Sequence, residues 1–480
     1  MRRSRNTLAA LVASLCALAL LSAVPASANH RSGGPRTWQV LIGAQSTDGA
    51  IQAEGYYPRV ITIDAGDTVV WTLNSLEIHS VVFMGSCGDF SCVPDCNYDL
   101  IDLSPCGSST YDGVSAVASS GRMVPPQYNW DDAIPHGSTA YPLTFTKPGT
   151  NVYFDLSVSG MRGVVLVNPA GTPYPHTQSQ YSQQAQQQIR ADIEVGAKAE
   201  ENFKPIASSA NPDGTLIHHV ALGTSGPETA GVELGAVRGS PVEGHAVLKG
   251  LGVGSSPSPT ITVKLSLSGL KQGSVHAVQI LLGVCGAPAP TSGLIFSQIF
   301  NPPTFVLASI TARADGSGTS TTVLNAPPNA NGPGQFRIPS AGWFINVADG
   351  ATPDDGATSA ACGNIAFHNA AVMRYLPQTI HVHVGDTVEW VNQTINEVHG
   401  VTFLAGQALP QIPDWYFEPP TATGASYDGS TYASSGSLYP ADAGRAQSFA
   451  LTFTRAGTFS YVDVGNAVLG MQGSVVVTPN

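Results

Sequence analysis

Two stretches of this 480-residue chain carry the same blocks in the same order. Tyr57-Pro58 precedes the run Ile61 to Trp71, and Leu376-Pro377 precedes the run Ile380 to Trp390, each run passing through Gly-Asp-Thr-Val. Each then reaches a Glu-x-His: Glu77-Ile78-His79 and Glu397-Val398-His399. Tyr111-Asp112-Gly113 with Ser119-Ser120-Gly121 is echoed by Tyr427-Asp428-Gly429 with Ser434-Ser435-Gly436. Leu143-Thr144-Phe145-Thr146 returns as Leu451-Thr452-Phe453-Thr454, and Gly160-Met161-Arg162-Gly163 as Gly470-Met471-Gln472-Gly473. Ordered repetition on this scale means one folding unit used twice.

Within the blocks apolar and polar residues alternate with period two, and Gly, Asp and Pro punctuate them. This is the pattern of half-buried strands in an all-β sandwich. Gly66 and Gly385 read as tight turns, and Trp71 and Trp390 as the centres of two cores. Charged residues make up only 11%, while Gly (51) and Pro (35) are abundant, which favours short strands over long surface helices. Acidic residues outnumber basic ones 33 to 21. Three of the basic ones, Arg2, Arg3 and Arg5, open an apolar run closed by Ala26-Ser27-Ala28. Residues 1–28 are therefore expected to be a cleaved secretory signal. The remaining acidic chain is expected to be extracellular, with no nucleic-acid partner and no membrane anchor. Its extracellular partner is unknown.

Between the repeats, 176–203 is rich in Gln and Ala. Tyr181, Ala185, Ile189 and Ile193 recur every four residues, so a linker helix with a narrow apolar stripe is predicted. Leu216 to Gly223 reads as the opening strand of the second repeat, which is interrupted over 228–364 by a further strand-rich unit. That unit alternates over Thr260 to Leu270, again about a turn at Asp315-Gly316, and over Trp343 to Val347. Beyond Cys16 there are six cysteines. Cys87, Cys92, Cys96 and Cys106 cluster, and either two disulfides or a four-thiolate zinc site answers to that spacing, disulfides being expected outside the cell. His381 and His383 share one strand face but are expected at the surface, because Ile380, Val382 and Val384 claim the core. His218 and His219 point to opposite faces. No Gly-x-Ser-x-Gly elbow, phosphate loop or paired-carboxylate motif of specific spacing is present, so an enzyme is not expected.

The repeated blocks resemble the cupredoxins, the Greek-key sandwiches of the small blue copper proteins, over 37–168 and over 213–226 together with 365–478. The resemblance implies a copper held by a histidine after the Gly-Asp-Thr-Val strand, then by Cys, His and Met from a later loop. His79 and His399 fall on the first histidine, and Met161 and Met471 on the methionine. Asp155 and Asp463 stand where the cysteine belongs, and Val158 and Asn466 where the second histidine belongs. A remnant copper site of His79, Asp155 and Met161, or of His399, Asp463 and Met471, would not be blue. A carboxylate in such an apolar pocket also needs a donor, either the neighbouring histidine or a metal. The expected role is a secreted, non-catalytic binding or structural protein. The alternative is copper carriage or electron transfer through these non-blue sites.

The interrupting unit is similar to the β-barrel of copper–zinc superoxide dismutases and their chordin-domain-like relatives, through Ser274 to Leu281, Gly283-Val284-Cys285 and Ala361-Cys362-Gly363. In that family the middle stretch is His-x-x-His-x-His. Here His276 remains, while Gln279 and Leu281 replace the other two, so dismutase activity is not expected. The resemblance implies a Cys285–Cys362 disulfide.

Overall fold

The computed structural model describes residues 34–85, 105–114, 117–127, 138–158, 160–250, 260–290, 304–325, 338–353, 358–411, 419–440 and 445–479. The expected signal segment and Cys87, Cys92 and Cys96 lie outside the described residues. Cys106 is disulfide-bonded.

The repeated blocks become equivalent strands. In the first repeat one sheet runs in the order Ile51–Tyr57, Thr37–Gln45, Thr68–Leu73, Ala140–Phe145, Thr110–Tyr111. In the second it runs Ala370–Leu376, Leu216–Ser225, Thr387–Asn392, Ser448–Phe453, Ala425–Tyr427. The facing sheets correspond as well. Val60–Asp64, Arg162–Asn168, Gly149–Phe154, His79–Phe83 and Ala118–Met123 match Thr379–His383, Gln472–Thr478, Gly457–Val462, Thr402–Phe403 and Ala433–Ser434. Alternation puts one face of every strand inward, and the cores fill with aromatic rings. Trp71 is buried 5.6 Å from Phe83 and 5.2 Å from Tyr153. Trp390 is buried 5.6 Å from Phe403 and 5.3 Å from Tyr461. The Tyr57-Pro58 and Leu376-Pro377 peptides are both cis.

The two sandwiches share a sheet. Ile51–Tyr57 pairs antiparallel with Ala370–Leu376, joining both first sheets into one of eleven strands. The register places Gln52 opposite Ala371, and these are equivalent positions in the two repeats. A local pseudo-two-fold therefore passes through that pair, and the contact is isologous. Glu54 N donates to Asn369 O (3.1 Å), and its counterpart, Met373 N, donates to Ala50 O (2.7 Å). An open sheet edge would template association, and here each repeat covers the other's edge.

The helix spans Gln178–Glu201, opened by a Thr177/Gln180 capping box. Its buried stripe of Tyr181, Ala185 and Ile189 continues through Asp192 and Gly196. It lies across the seam, against Ala53 and Tyr57 of the first repeat and, through Ile193 and Ala199, against Ala370 and Val372 of the second. Asp192 clamps all three elements. It accepts from Arg59 Nη2 (2.7 and 2.8 Å), Tyr57 Oη (2.5 Å) and His368 Nδ1 (2.6 Å).

The interrupting unit forms an eight-stranded sheet whose end strands are Thr304–Thr311 and Gly318–Asn325. The strands flanking the Asp315-Gly316 turn are thus opposite ends of the sheet, bonded to Val275–Leu282 and Thr260–Ser268 rather than to each other. Ala308 N donates to Thr322 Oγ1 (2.8 Å) where those ends meet. Cys285 and Cys362 are disulfide-bonded, Cα atoms 5.6 Å apart. Although this unit leaves from the second repeat, its core includes Val152 and Val164 of the first. Ser340 N donates to Gly160 O (3.0 Å).

Candidate metal centre

His79 opens a strand whose neighbour ends at Phe154, so the next residue, Asp155, lies beside the imidazole. Asp155 Oδ2 is 2.7 Å from His79 Nδ1, and Oδ1 accepts from Ser80 Oγ (3.1 Å) and Ser157 N (2.7 Å). The second repeat builds the same pair. Asp463 Oδ2 is 2.9 Å from His399 Nδ1 and accepts from Asn466 Nδ2 (3.0 Å). All four side chains of the pairs are completely buried. A carboxylate on Nδ1 makes that nitrogen the proton donor, so in the neutral imidazole the lone pair sits on Nε2. Met161 and Met471 meet the aspartates through the backbone, at Asp155 N to Met161 O and Asp463 N to Met471 O, with both methionines in the apolar cores. Val158 is buried in the first core.

The Nε2 edges face the seam. Bulges at Gly43 and Gly223 (φ +64° and +67°) carry the opening strands past the imidazoles, and a Cβ at either would stand 2.8 Å from His79 Nε2 or 3.1 Å from His399 Nε2. Both positions require glycine for the left-handed backbone as well as for the space. His79 Nε2 lies 3.1 Å from Ser75 Oγ and 3.8 Å from Glu77 Oε2. In the second repeat the place of Ser75 belongs to Ile395, and the buried His399 Nε2 has no hydrogen-bond partner.

Between the two Glu-x-His motifs three carboxylates converge. One oxygen from each of Glu54, Glu77 and Glu397 lies within 4.8 Å of the others. Glu54 and Glu77 are buried and Glu397 largely so. Glu54 Oε2 accepts from Asn369 Nδ2 (2.5 Å) and Asn396 Nδ2, both of the second repeat. Glu54 Oε1, both oxygens of Glu77 and Glu397 Oε1 have no hydrogen-bond partner. Burial, then the Glu397 and Glu77 carboxylates, pushes the Glu54 carboxyl well above the usual range. Burial and the neighbouring Glu397 and Asp155 do the same for Glu77. Glu397 is pushed up by burial, against the opposing pull of His399, then of a hydrogen bond with Glu54, then of His79.

The sequence marks Glu77 and Glu397 only through the repeated Glu-x-His, and it does not mark Glu54 at all. The available signal is that Glu54 stands where the second repeat has Met373. The other histidines lie apart. His276 is buried, with Nδ1 2.8 Å from Ala348 O and Nε2 2.8 Å from Ser274 Oγ. Gln279 and Leu281 are also buried. His381 and His383 are exposed. His218 Nε2 meets Asp386 (3.2 Å) and His219 Nδ1 meets Glu389 (3.3 Å).

No protein-family model matches the chain, and no curated protein sequence matches it. Among solved structures, an oxidised mutant of amicyanin is similar at 28% identity, covering 22% of this chain and 73% of that one, with a TM-score of 0.15. A fern plastocyanin mutant is similar at 14% identity, covering 22% and 89%, with a TM-score of 0.15. A reduced Cu(I) amicyanin mutant is similar at 20% identity, covering 29% and 88%, with a TM-score of 0.16.

Proposed function

We propose that this is an exported, non-catalytic protein with two cupredoxin-like repeats, acting outside the cell as a binding or structural scaffold rather than as a blue copper carrier. The observation that carries this reading is the buried His–Asp pair at both copper positions, His79–Asp155 at 2.7 Å and His399–Asp463 at 2.9 Å. A type 1 centre needs a thiolate and two imidazoles around the metal. In each repeat one imidazole is present, its Nδ1 engaged by the carboxylate that replaces the thiolate. Val158 and Asn466 offer no imidazole, and Asn466 donates to Asp463. These residues do not fit the blue copper ion that the resemblance implies. Each carboxylate satisfies its charge within the protein, as a structural core group does. The strand-rich unit, similar to the superoxide dismutase barrel, adds surface on the same plan, with both nitrogens of His276 engaged.

The test is to add Cu(II) to the exported chain, remove the excess, and record the visible spectrum and voltammetry. No intense thiolate-to-copper band and no reversible couple are expected. Reversible Cu(II)/Cu(I) cycling abolished by His79→Ala or His399→Ala would overturn the reading.

A further inference from the structure

We infer that the three converging carboxylates of Glu54, Glu77 and Glu397 form a site for one divalent first-row ion of the zinc or manganese type at the seam between the repeats, flanked by the imidazoles of His79 and His399. The inference goes beyond the scaffold reading and uses the face of each imidazole turned away from the copper position. Converging carboxylates alone would prove little, because acidic clusters are common without a metal. Here a second observation points the same way: both oxygens of the buried Glu77, and the completely buried His399 Nε2, have no hydrogen-bond partner. His79 Nε2 is 3.8 Å from Glu77 Oε2, close to the roughly 3.4 Å that separates two ligands on one tetrahedral zinc.

The supporting shell is that of a metal site. Each histidine has a carboxylate on its far nitrogen, the arrangement that orients metal-binding imidazoles and raises their basicity. Glu54 is oriented by Asn369 and Asn396. The bulge glycines keep their own Cβ atoms from filling the space beside both Nε2 atoms. Oxygen and imidazole donors without sulfur favour zinc, manganese or iron(II) over copper(I). A dication would also satisfy the unpaired oxygens that these three converging carboxyl groups leave in the interior. The site needs both repeats, because Glu77 and Glu397 come from opposite sides of the pseudo-two-fold. The ion would act as a staple between sandwiches.

The test is a competition titration of Zn(II), and separately Mn(II), into the chelator-stripped exported chain, read with a chromogenic chelator and by the thermal midpoint. One saturable equivalent and a raised midpoint are expected. Glu77→Gln and Glu397→Gln should abolish the equivalent, and Asp463→Asn should weaken it about 10- to 100-fold. Replacing the exposed His381 and His383 with Ala should leave it unchanged. Glutamine keeps the shape and removes mutual repulsion, so the metal-free variants should melt no lower than the parent, which separates lost binding from lost folding. Absence of a saturable equivalent with either ion, or one that survives both Gln variants, would overturn the inference. Failure of the scaffold reading shows instead in the copper voltammetry.

Discussion

Replacing Asp192 with Asn removes one charge from the clamp that fastens the helix to both repeats while keeping its shape. Asp192 is completely buried, Arg59 is 3% exposed, and the two meet through Nη2 at 2.7 and 2.8 Å. The substitution leaves a guanidinium buried without its counter-ion, in a place where Arg59 Nε already lacks a partner. Breaking a buried pair on one side costs about 3–5 kcal/mol, much of it the uncompensated charge. Tyr57 and His368 lose part of a charge-assisted acceptor as well. Removing both ions should cost less than this sum suggests, so the Arg59→Met, Asp192→Asn double variant should lie about 2 kcal/mol or more above additivity. The assay is urea unfolding at constant pH, followed by fluorescence of the buried tryptophans. It takes the midpoint of the first transition, since a chain of several units need not unfold in one step. An Asp192→Asn change within about 0.5 kcal/mol of the parent, the level of an ordinary surface substitution, would refute the reasoning. So would strict additivity of the double variant.

Gly43→Ala and Gly223→Ala should each destabilise by about 1–3 kcal/mol, because a Cβ there meets Ser75 Oγ at 2.4 Å or Val372 O at 2.6 Å with φ positive; denaturation midpoints within error of the parent would contradict this. Reducing the Cys285–Cys362 bridge, or replacing both cysteines with Ala, should lower stability by about 4.5 kcal/mol for a separation of 77 residues on the chain-entropy model, measurable as a fall in the melting temperature of the eight-stranded unit. Asp386 gives a pH prediction. Burial works to raise its carboxyl, but the Leu216 and His383 N–H groups and His218 outweigh it and hold the pKa below the ordinary value. Its contribution is therefore complete above the unfolded-state pKa and is lost as pH falls through the lower folded-state value. Asp386→Asn should flatten that acid limb of the stability curve, and an unchanged limb would count against it.

Much of the fold is legible in the sequence because strand periodicity and repetition survive in side chains. The Ile61–Trp71 and Ile380–Trp390 blocks give both sandwiches, and the stripe from Tyr181 gives the helix within a few residues of its observed bounds. The seam is not legible, for a physical reason. Edge-to-edge pairing uses backbone N–H and C=O groups, which every residue carries, so the contact of Ile51–Tyr57 with Ala370–Leu376 leaves no pattern. Its strand, Ile51-Gln52-Ala53-Glu54-Gly55-Tyr56-Tyr57, looks half solvated but is buried throughout, the helix covering part of it. Gln52 and Glu54 therefore read as surface residues when they are interior. Asp192 misleads in the same way: a polar residue beside an apolar stripe turns out to be the buried anchor. Asp155 and Asp463 stand out in the sequence where the resemblance implies a cysteine, but which nitrogen of each histidine they engage depends on packing around the bulges at Gly43 and Gly223. That choice leaves the Nε2 edges to face the bulges rather than the aspartates.

On the proposals above, the Nε2 edges of these histidines serve a metal at the seam, and their Nδ1 edges, closed by Asp155 and Asp463, hold none. Crystals of the protein grown with zinc, and others with copper, would locate any ion through anomalous differences at the respective edges. The account predicts a zinc peak within ligand distance of the Glu77 and Glu397 carboxylates and His79 Nε2, with none between His79 Nδ1 and Met161 or between His399 Nδ1 and Met471. A copper peak at those Nδ1 positions, with the His–Asp contacts broken, would contradict it.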